Sequence, residues 1–249
     1  DTKYLQEIKE TNIKTTEITF FINKKTKIKE IENYDEGHWW VQDFSSMLPI
    51  YLSPETDNKK ILDMCSAPGG KAFQTLSKGN KVTMNDISIK RINTLKDNLD
   101  RLNLSKNILN LNALDLNEIN LFDVIILDSP CSGVGTLRRN PEILFKKDSP
   151  NFDNLYKIQE KLINKAAKLL KKNGTLIYMV CSFFYEETKA IKENFLIKNK
   201  NFSHNKFENM NNNELNKFID NEGDFYTIPS DFKNYLIDGF YATKFIKND

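Results

Sequence analysis

The chain has 249 residues, enough to bury one large core, with a formal net charge of +2, 39% apolar residues, three cysteines and two histidines. Cys65, Cys131 and Cys181 are odd in number and widely spaced, so neither a disulfide framework nor a metal site is expected, and His38 and His204 lie far from each other and from every cysteine in sequence. No apolar run approaches the roughly 20 residues of a membrane span, and the first 30 residues are charged rather than signal-like, which predicts a soluble, cytoplasmic protein without membrane contact.

In chain order, residues 1–35 are polar around one apolar cluster (ITFFI) that reads as a strand. Because position 1 is Asp and not Met, this stretch is expected to be the remnant of, or a linker from, an upstream module, with a single domain over 36–249. From residue 60 onward, short β-branched runs alternate with longer amphipathic segments, the pattern of βα units. KILDM (60–64), KVTMND (81–86), NILNLN (107–112), FDVIILD (122–128) and GTLIYMV (174–180) are the predicted strands. Residues 88–103 carry Ile92, Leu95, Leu99 and Leu102 at helical spacing, and 153–172 carry Leu155, Ile158, Leu162, Ala166, Leu169 and Leu170. Asn173-Gly174 is expected to cap the second of these helices at its C-terminus. A helix over 185–198 and an Asn-rich loop over 199–215 follow, and EGDFYTIPS and DGFYATKFI read as two last strands, paired as a hairpin at the sheet edge. The predicted fold is α/β and Rossmann-like: a mostly parallel, doubly wound sheet with a C-terminal antiparallel edge strand.

The first predicted strand runs into Cys65, Ser66, Ala67, Pro68, Gly69, Gly70 and Lys71, where small residues let backbone N–H groups approach a ligand at the start of a helix. It is not a P-loop, which needs Gly at 65 and Ser or Thr at 72, where this chain has Cys and Ala. A nucleoside-bearing cofactor over the carboxyl ends of the strands remains. Asp86, ending the second strand, is placed to accept from ribose hydroxyls, a helix N-cap being its other use, and Asp115 after the third strand is placed to reach an adenine amino group. Charge alone does not mark a nucleic-acid binder, since phosphate contact needs a concentrated basic face. Arg138-Arg139, Lys146-Lys147 and Lys171-Lys172 are the local clusters, each also readable as solvated surface.

Two predicted strands end in cysteines: DSPCSG (128–133) follows VIIL, and LIYMV ends in Cys181-Ser182. DMCSAPGGK, DSPCSG and YMVCS, in this order, resemble the RNA cytosine-C5 methyltransferases of the Nop/Sun group over about residues 36–247. GHWWVQDFSSMLP and GTLRRNPEILFK resemble the bacterial Sun type, which methylates small-subunit (16S) ribosomal RNA and carries an RNA-binding domain upstream. The resemblance implies a class I methyltransferase fold over 36–249 and S-adenosylmethionine binding by residues 65–71, Asp86, Asp115 and Asp128, the last also near the target base. It implies Cys181 as nucleophile, Cys131 as the group that helps the covalent adduct break down, and RNA as partner. One departure is Val180, where the family usually has Thr before the catalytic cysteine; Ser182 and the following Glu186-Glu187 match.

The chemistry explains two cysteines. Cytosine C5 is too electron-poor to take a methyl group unaided, so a thiolate first adds to C6, and a second basic group near C5 then helps the proton leave. Lys71 stands to lower a cysteine pKa or, alternatively, to pair with Asp128. The target base must be extruded from its stack, and Arg138 and Arg139 are placed to hold RNA phosphates beside the cleft. Trp39 and Trp40 read as packing residues before base-stacking ones. A DNA cytosine-C5 methyltransferase with Cys131 as nucleophile, and a non-catalytic module binding cofactor and RNA, are the competing readings. A monomer is favoured.

Overall fold

The computed structural model describes residues 14–16, 19–20, 27–117, 120–145, 151–208, 213–232 and 235–248. A short antiparallel pair, β1 (Lys14–Thr16) and β2 (Thr19–Phe20), comes first. Helix α1 (Phe44–Tyr51), absent from the sequence expectation, starts where the Asp43 side chain accepts from Ser45 N at 2.9 Å. Strands and helices then alternate: β3 (Lys60–Asp63), α2 (Gly70–Leu76), β4 (Lys81–Asn85), α3 (Ile89–Arg101), β5 (Ile108–Leu109), β6 (Phe122–Asp128), α4 (Phe152–Leu169), β7 (Leu170–Val180) and α5 (Lys189–Lys198). Then come β8 (Phe202–Asn205), α6 (Asn213–Asn216), β9 (Phe225–Thr227), β10 (Ser230–Phe232), β11 (Tyr235–Ile237) and β12 (Phe240–Lys247).

The main sheet has the order β5-β4-β3-β6-β7-β12-β8, with β9 also on β12. Strands β3 to β7 are parallel, while β12 runs antiparallel to β7, β8 and β9. The expected mostly parallel α/β sheet with an antiparallel C-terminal strand is present, and the two last predicted strands do pair, Phe240 with Thr227. At that margin β12 lies inside β8 and β9, which are outermost.

Both faces are covered, so the central strands are apolar throughout rather than alternating. Along β7, Ile177 and Met179 pack with Leu48, Phe73, Leu95 and Leu99 on the side of α1, α2 and α3. Leu176, Tyr178 and Val180 pack with Leu162, Ala166, Ile191 and Phe195 on the side of α4 and α5. Each fully buried Leu or Ile here contributes about 2 kcal/mol of transfer free energy.

Three expectations need correction. Asn173-Gly174 does not cap a helix: α4 ends at Leu169, because buried Leu170 pairs with Phe122, and Asn173 (φ 58°) turns within β7 at an irregular register. The helix over 185–198 is broken, a 3-10 turn at Tyr185–Glu187 and α5 being separated at Thr188, whose hydroxyl donates to Phe184 O at 2.7 Å. The Asn-rich loop contains β8, because Phe202 is buried and its strand adds to β12. Lys146-Lys147 lies outside the described residues.

Candidate active site

Parallel pairing of β6 with β7 sets Asp128 beside Met179, and Ser129 N donates to Met179 O at 2.8 Å. Just beyond these strand ends, the Cys131 and Cys181 sulfurs lie 3.2 Å apart, both as free, half-buried thiols. The pair is electrically asymmetric. Cys131 is pushed well up, first because it is hydrogen-bonded to Cys181, then by burial and by the nearby Glu187 charge. Cys181 is lowered, first by its hydrogen bond with Cys131 and further by Lys71, against burial and Asp128. Of the two thiols, Cys181 is therefore the more readily ionised.

The backbone around the pair is tightly held. Gly135 N donates to Cys181 O at 3.0 Å, and Gly239 N donates to Gly135 O at 2.8 Å. A Cβ on Gly135 would sit 1.9 Å from Gly239 O, so only glycine permits this approach. Sequence reasoning gave no role to Glu187 or Gln159. Fully buried Glu187 accepts from Ser132 N at 2.8 Å, from the Ser132 hydroxyl, from Ser182 Oγ at 2.6 Å and from Gln159 Nε2 at 3.1 Å. Gln159, on α4, also donates to Pro130 O at 3.0 Å. The signal available in sequence was the acidic residue placed after the cysteine; its burial was not readable.

Across β3, the loop at 65–71 enters α2 through Gly69, whose φ of 116° favours glycine and where a Cβ would meet Phe73 at 2.2 Å. Lys71 pairs with Asp128 at 2.6 Å and lies 5.0 Å from the centre of the Phe240 ring, so the ion-pair role and the influence on Cys181 coexist. Cys65 is pushed up to about 12 by burial and by the charges of Asp63, Asp128 and Asp86, which makes it an inert thiol. Asp63, which sequence reasoning also passed over, is raised to about 7 by burial, Lys71 opposing, and its Oδ1 is buried without a hydrogen-bond partner. With Asp128 paired to Lys71 and Asp86 to Arg91, the unused Asp63 oxygen beside this small-residue loop is the group that fits a ligand carrying positive charge.

Asp86 is buried, accepts from Ala67 N at 3.2 Å and Ser88 N at 2.9 Å, and pairs with Arg91 at 3.3 Å. The cap of α3 is Ser88, so Asp86 is not that N-cap. Asp115 is exposed in a 3-10 turn beyond β5. Arg138 is engaged by Asp238 at 3.0 Å and Asp43 at 3.3 Å, and Arg139 meets Asp238 at 2.5 Å while keeping 49% of its side chain exposed. Lys171 pairs with Asp123 at the opposite end of β7 from Cys181, so that basic cluster is not brought to the site. Trp39 is buried and donates to Glu32 O at 3.0 Å, and Trp40 packs its ring against Phe73.

The family model described as 16S rRNA methyltransferase RsmB/F matches residues 49–246. Ribosomal RNA small subunit methyltransferase B of Yersinia enterocolitica is 30% identical over 204 residues, 78% of this chain and 48% of that protein. The 26S rRNA (cytosine-C(5))-methyltransferase nsun-1 of Caenorhabditis elegans is 34% identical over 67% of this chain and 26% of its own length. Among solved structures, NSun6 from Pyrococcus horikoshii with SFG superposes with a TM-score of 0.73 at 23% identity, covering 90% of this chain and 57% of that one, a likeness of fold. The chain spans about half the length, or less, of the curated relatives it matches. With the matched residues running from α1 into β12 and taking in both cysteine-bearing strand ends, the chain belongs to the 16S rRNA methyltransferase RsmB/F family.

Proposed function

We propose that this protein methylates carbon 5 of a cytosine in RNA, with small-subunit ribosomal RNA as the substrate, using S-adenosylmethionine. The observation that carries the reading is the pair of thiols 3.2 Å apart at the ends of adjacent parallel strands, the Cys131 pKa raised and the Cys181 pKa lowered. Relatives named for small-subunit ribosomal RNA support the substrate, and cytosine-C5 in the name of nsun-1 supports the reaction.

S-adenosylmethionine supplies an electrophilic methyl group on a positively charged sulfur. Residues 65–71, Asp63, Asp86, Asp115 and Asp128 would hold it, and the solved NSun6 relative carries SFG, an analogue of it. Cys181 adds to C6 of the extruded cytosine, forming an S–C6 bond and leaving C5 nucleophilic. Once C5 bears the methyl group, its proton leaves to a base, for which Cys131 is positioned once its own thiol proton has passed to water. The electron pair restores the C5–C6 double bond and expels Cys181 as thiolate. Arg139, which shares Asp238 with Arg138 but keeps half its side chain exposed, takes an RNA phosphate, whereas Arg138 is more enclosed and also meets Asp43.

The test is a denaturing gel of protein with radiolabelled small-subunit ribosomal RNA and S-adenosylmethionine. Cys131→Ala is expected to accumulate a covalent protein–RNA band, and Cys181→Ala to lose both band and methylation. Methylation by Cys181→Ala, with Cys131→Ala dead and bandless, would assign attack to Cys131 instead.

A further inference from the structure

We propose that Glu187 is the positioning residue that couples the two cysteine loops and makes Cys181, rather than Cys131, the nucleophile; this rests on the two-cysteine reading above. Its carboxylate is fully buried and joins the residue after Cys131 to the residue after Cys181: Oε1 accepts from Ser132 N at 2.8 Å, and Oε2 accepts from Ser182 Oγ at 2.6 Å and from the Ser132 hydroxyl. Gln159 completes the shell at 3.1 Å and holds Pro130 O, so α4 fixes the loop from behind. The Glu187 backbone is pinned as well, its carbonyl accepting from Tyr178 Oη at 2.8 Å inside the core. A buried carboxylate with four donors around it is satisfied, and the chain breaks from the 3-10 turn into α5 at the next residue, Thr188.

Two consequences follow from that placement. Ser132 and Ser182 sit next to the two thiols, so one carboxylate fixes the separation of the sulfurs. The same charge disfavours a second negative charge on Cys131, while Lys71 on the other side favours one on Cys181. Of two adjacent thiols, Cys181 is thereby the more easily ionised. The side chain of residue 180 is buried in the core layer against which Cys131 packs, opposite to that of Cys181.

The experiment is alkylation of the protein alone by iodoacetamide between pH 6 and 9, with each cysteine-containing peptide quantified by mass spectrometry, for the wild type, Glu187→Gln and Ser132→Ala. Glu187→Gln keeps the shape and removes the charge, and Ser132→Ala removes one tie without stranding a charge. In the wild type, Cys181 is expected to react ahead of Cys131. In Glu187→Gln the Cys131:Cys181 labelling ratio is expected to rise about tenfold, the change that one pKa unit brings to a thiolate population, and in Ser132→Ala about twofold to threefold. Methylation by Glu187→Gln should show kcat reduced about tenfold with KM for RNA within twofold of wild type, as for an interaction made in the transition state. Unchanged labelling ratios in both variants overturn the proposal. Because labelling needs neither RNA nor cofactor, a shifted ratio in a protein that never methylates cytosine would sink the proposed function and leave the role of Glu187 standing.

Discussion

Asp63 is the side chain whose environment is least expected from its chemistry. A carboxyl group raised to about 7 is protonated in the fold between roughly pH 4 and 7, where the unfolded chain has already lost its proton. Its contribution is therefore complete below the unfolded value and is lost as pH rises through 7, at a cost of up to about 4 kcal/mol. A cationic ligand reverses that preference by favouring the carboxylate. Affinity for S-adenosylmethionine is accordingly expected to rise with pH between 6 and 7, by at most about tenfold per unit, and then to level off. Asp63→Asn should melt at a higher temperature than wild type at pH 8 and bind the cofactor at least tenfold more weakly, with no rise between pH 6 and 7. Calorimetry at pH 6, 7 and 8 checks this, and pH-independent binding by the wild type would refute it.

Strand register decides which way each side chain next to the thiols faces. Alternation along β7 sends Leu176, Tyr178 and Val180 toward α4 and α5, and Ile177 and Met179 toward α1, α2 and α3. Cys181 packs on the second of these sides, so the residue before it faces away from the thiol. The family's usual Thr at 180 is therefore not needed to orient the sulfur here, where Gly135 and the Ser182–Glu187 contact hold the strand end. Val180→Thr buries a hydroxyl among apolar neighbours and is expected to cost about 1–2 kcal/mol in a urea melt. Its methylation rate should stay within about threefold of wild type. A tenfold gain in rate would show that the hydroxyl reaches the thiol after all.

For the whole molecule, the margin formed by α5, β8, β9 and β12 is held by a polar cluster far from the cysteines in sequence. Asp224, fully buried, accepts from Lys192 at 2.6 Å and Tyr241 Oη at 2.9 Å and meets His204 Nε2 at 2.8 Å. Burial acts to raise this carboxyl, but the contacts with His204 and Lys192 win and hold it down at about 2. A depressed carboxylate stabilises the fold above its unfolded pKa near 4, and the stabilisation is lost as pH falls through 2, amounting to about 2 kcal/mol. Asp224→Asn should lower stability at pH 7 by that amount or more, since Lys192 is left without its buried partner, and the gap to wild type should narrow below pH 3. Urea titrations at pH 7 and 3 test this, and a gap that does not change with pH would remove the carboxylate from the stability of this margin.

The five predicted parallel strands, the helices at 88–103 and 153–172, the small-residue loop at 65–71 and the two cysteine motifs were legible because each is local. Periodicity, turn chemistry and short motifs report on neighbours a few residues apart. The break at Thr188, the strand inside the Asn-rich stretch and the early end of α4 were not legible, since each results from a partner distant in sequence: the Glu187 carboxylate between two loops, β12 beside β8, and Phe122 beside Leu170. Sequence singled out both cysteines, Lys71 and Asp128, which the fold brings together, and only the tertiary structure decided what surrounds them. Arg138 is absorbed by two carboxylates, Asp63 is left with an unpaired oxygen, and Glu187 sits between the thiol loops. Side-chain identity determines which chemistry is available; hydrogen bonding, desolvation and charge proximity, which exist only once the strands are side by side, determine which sulfur ionises more readily.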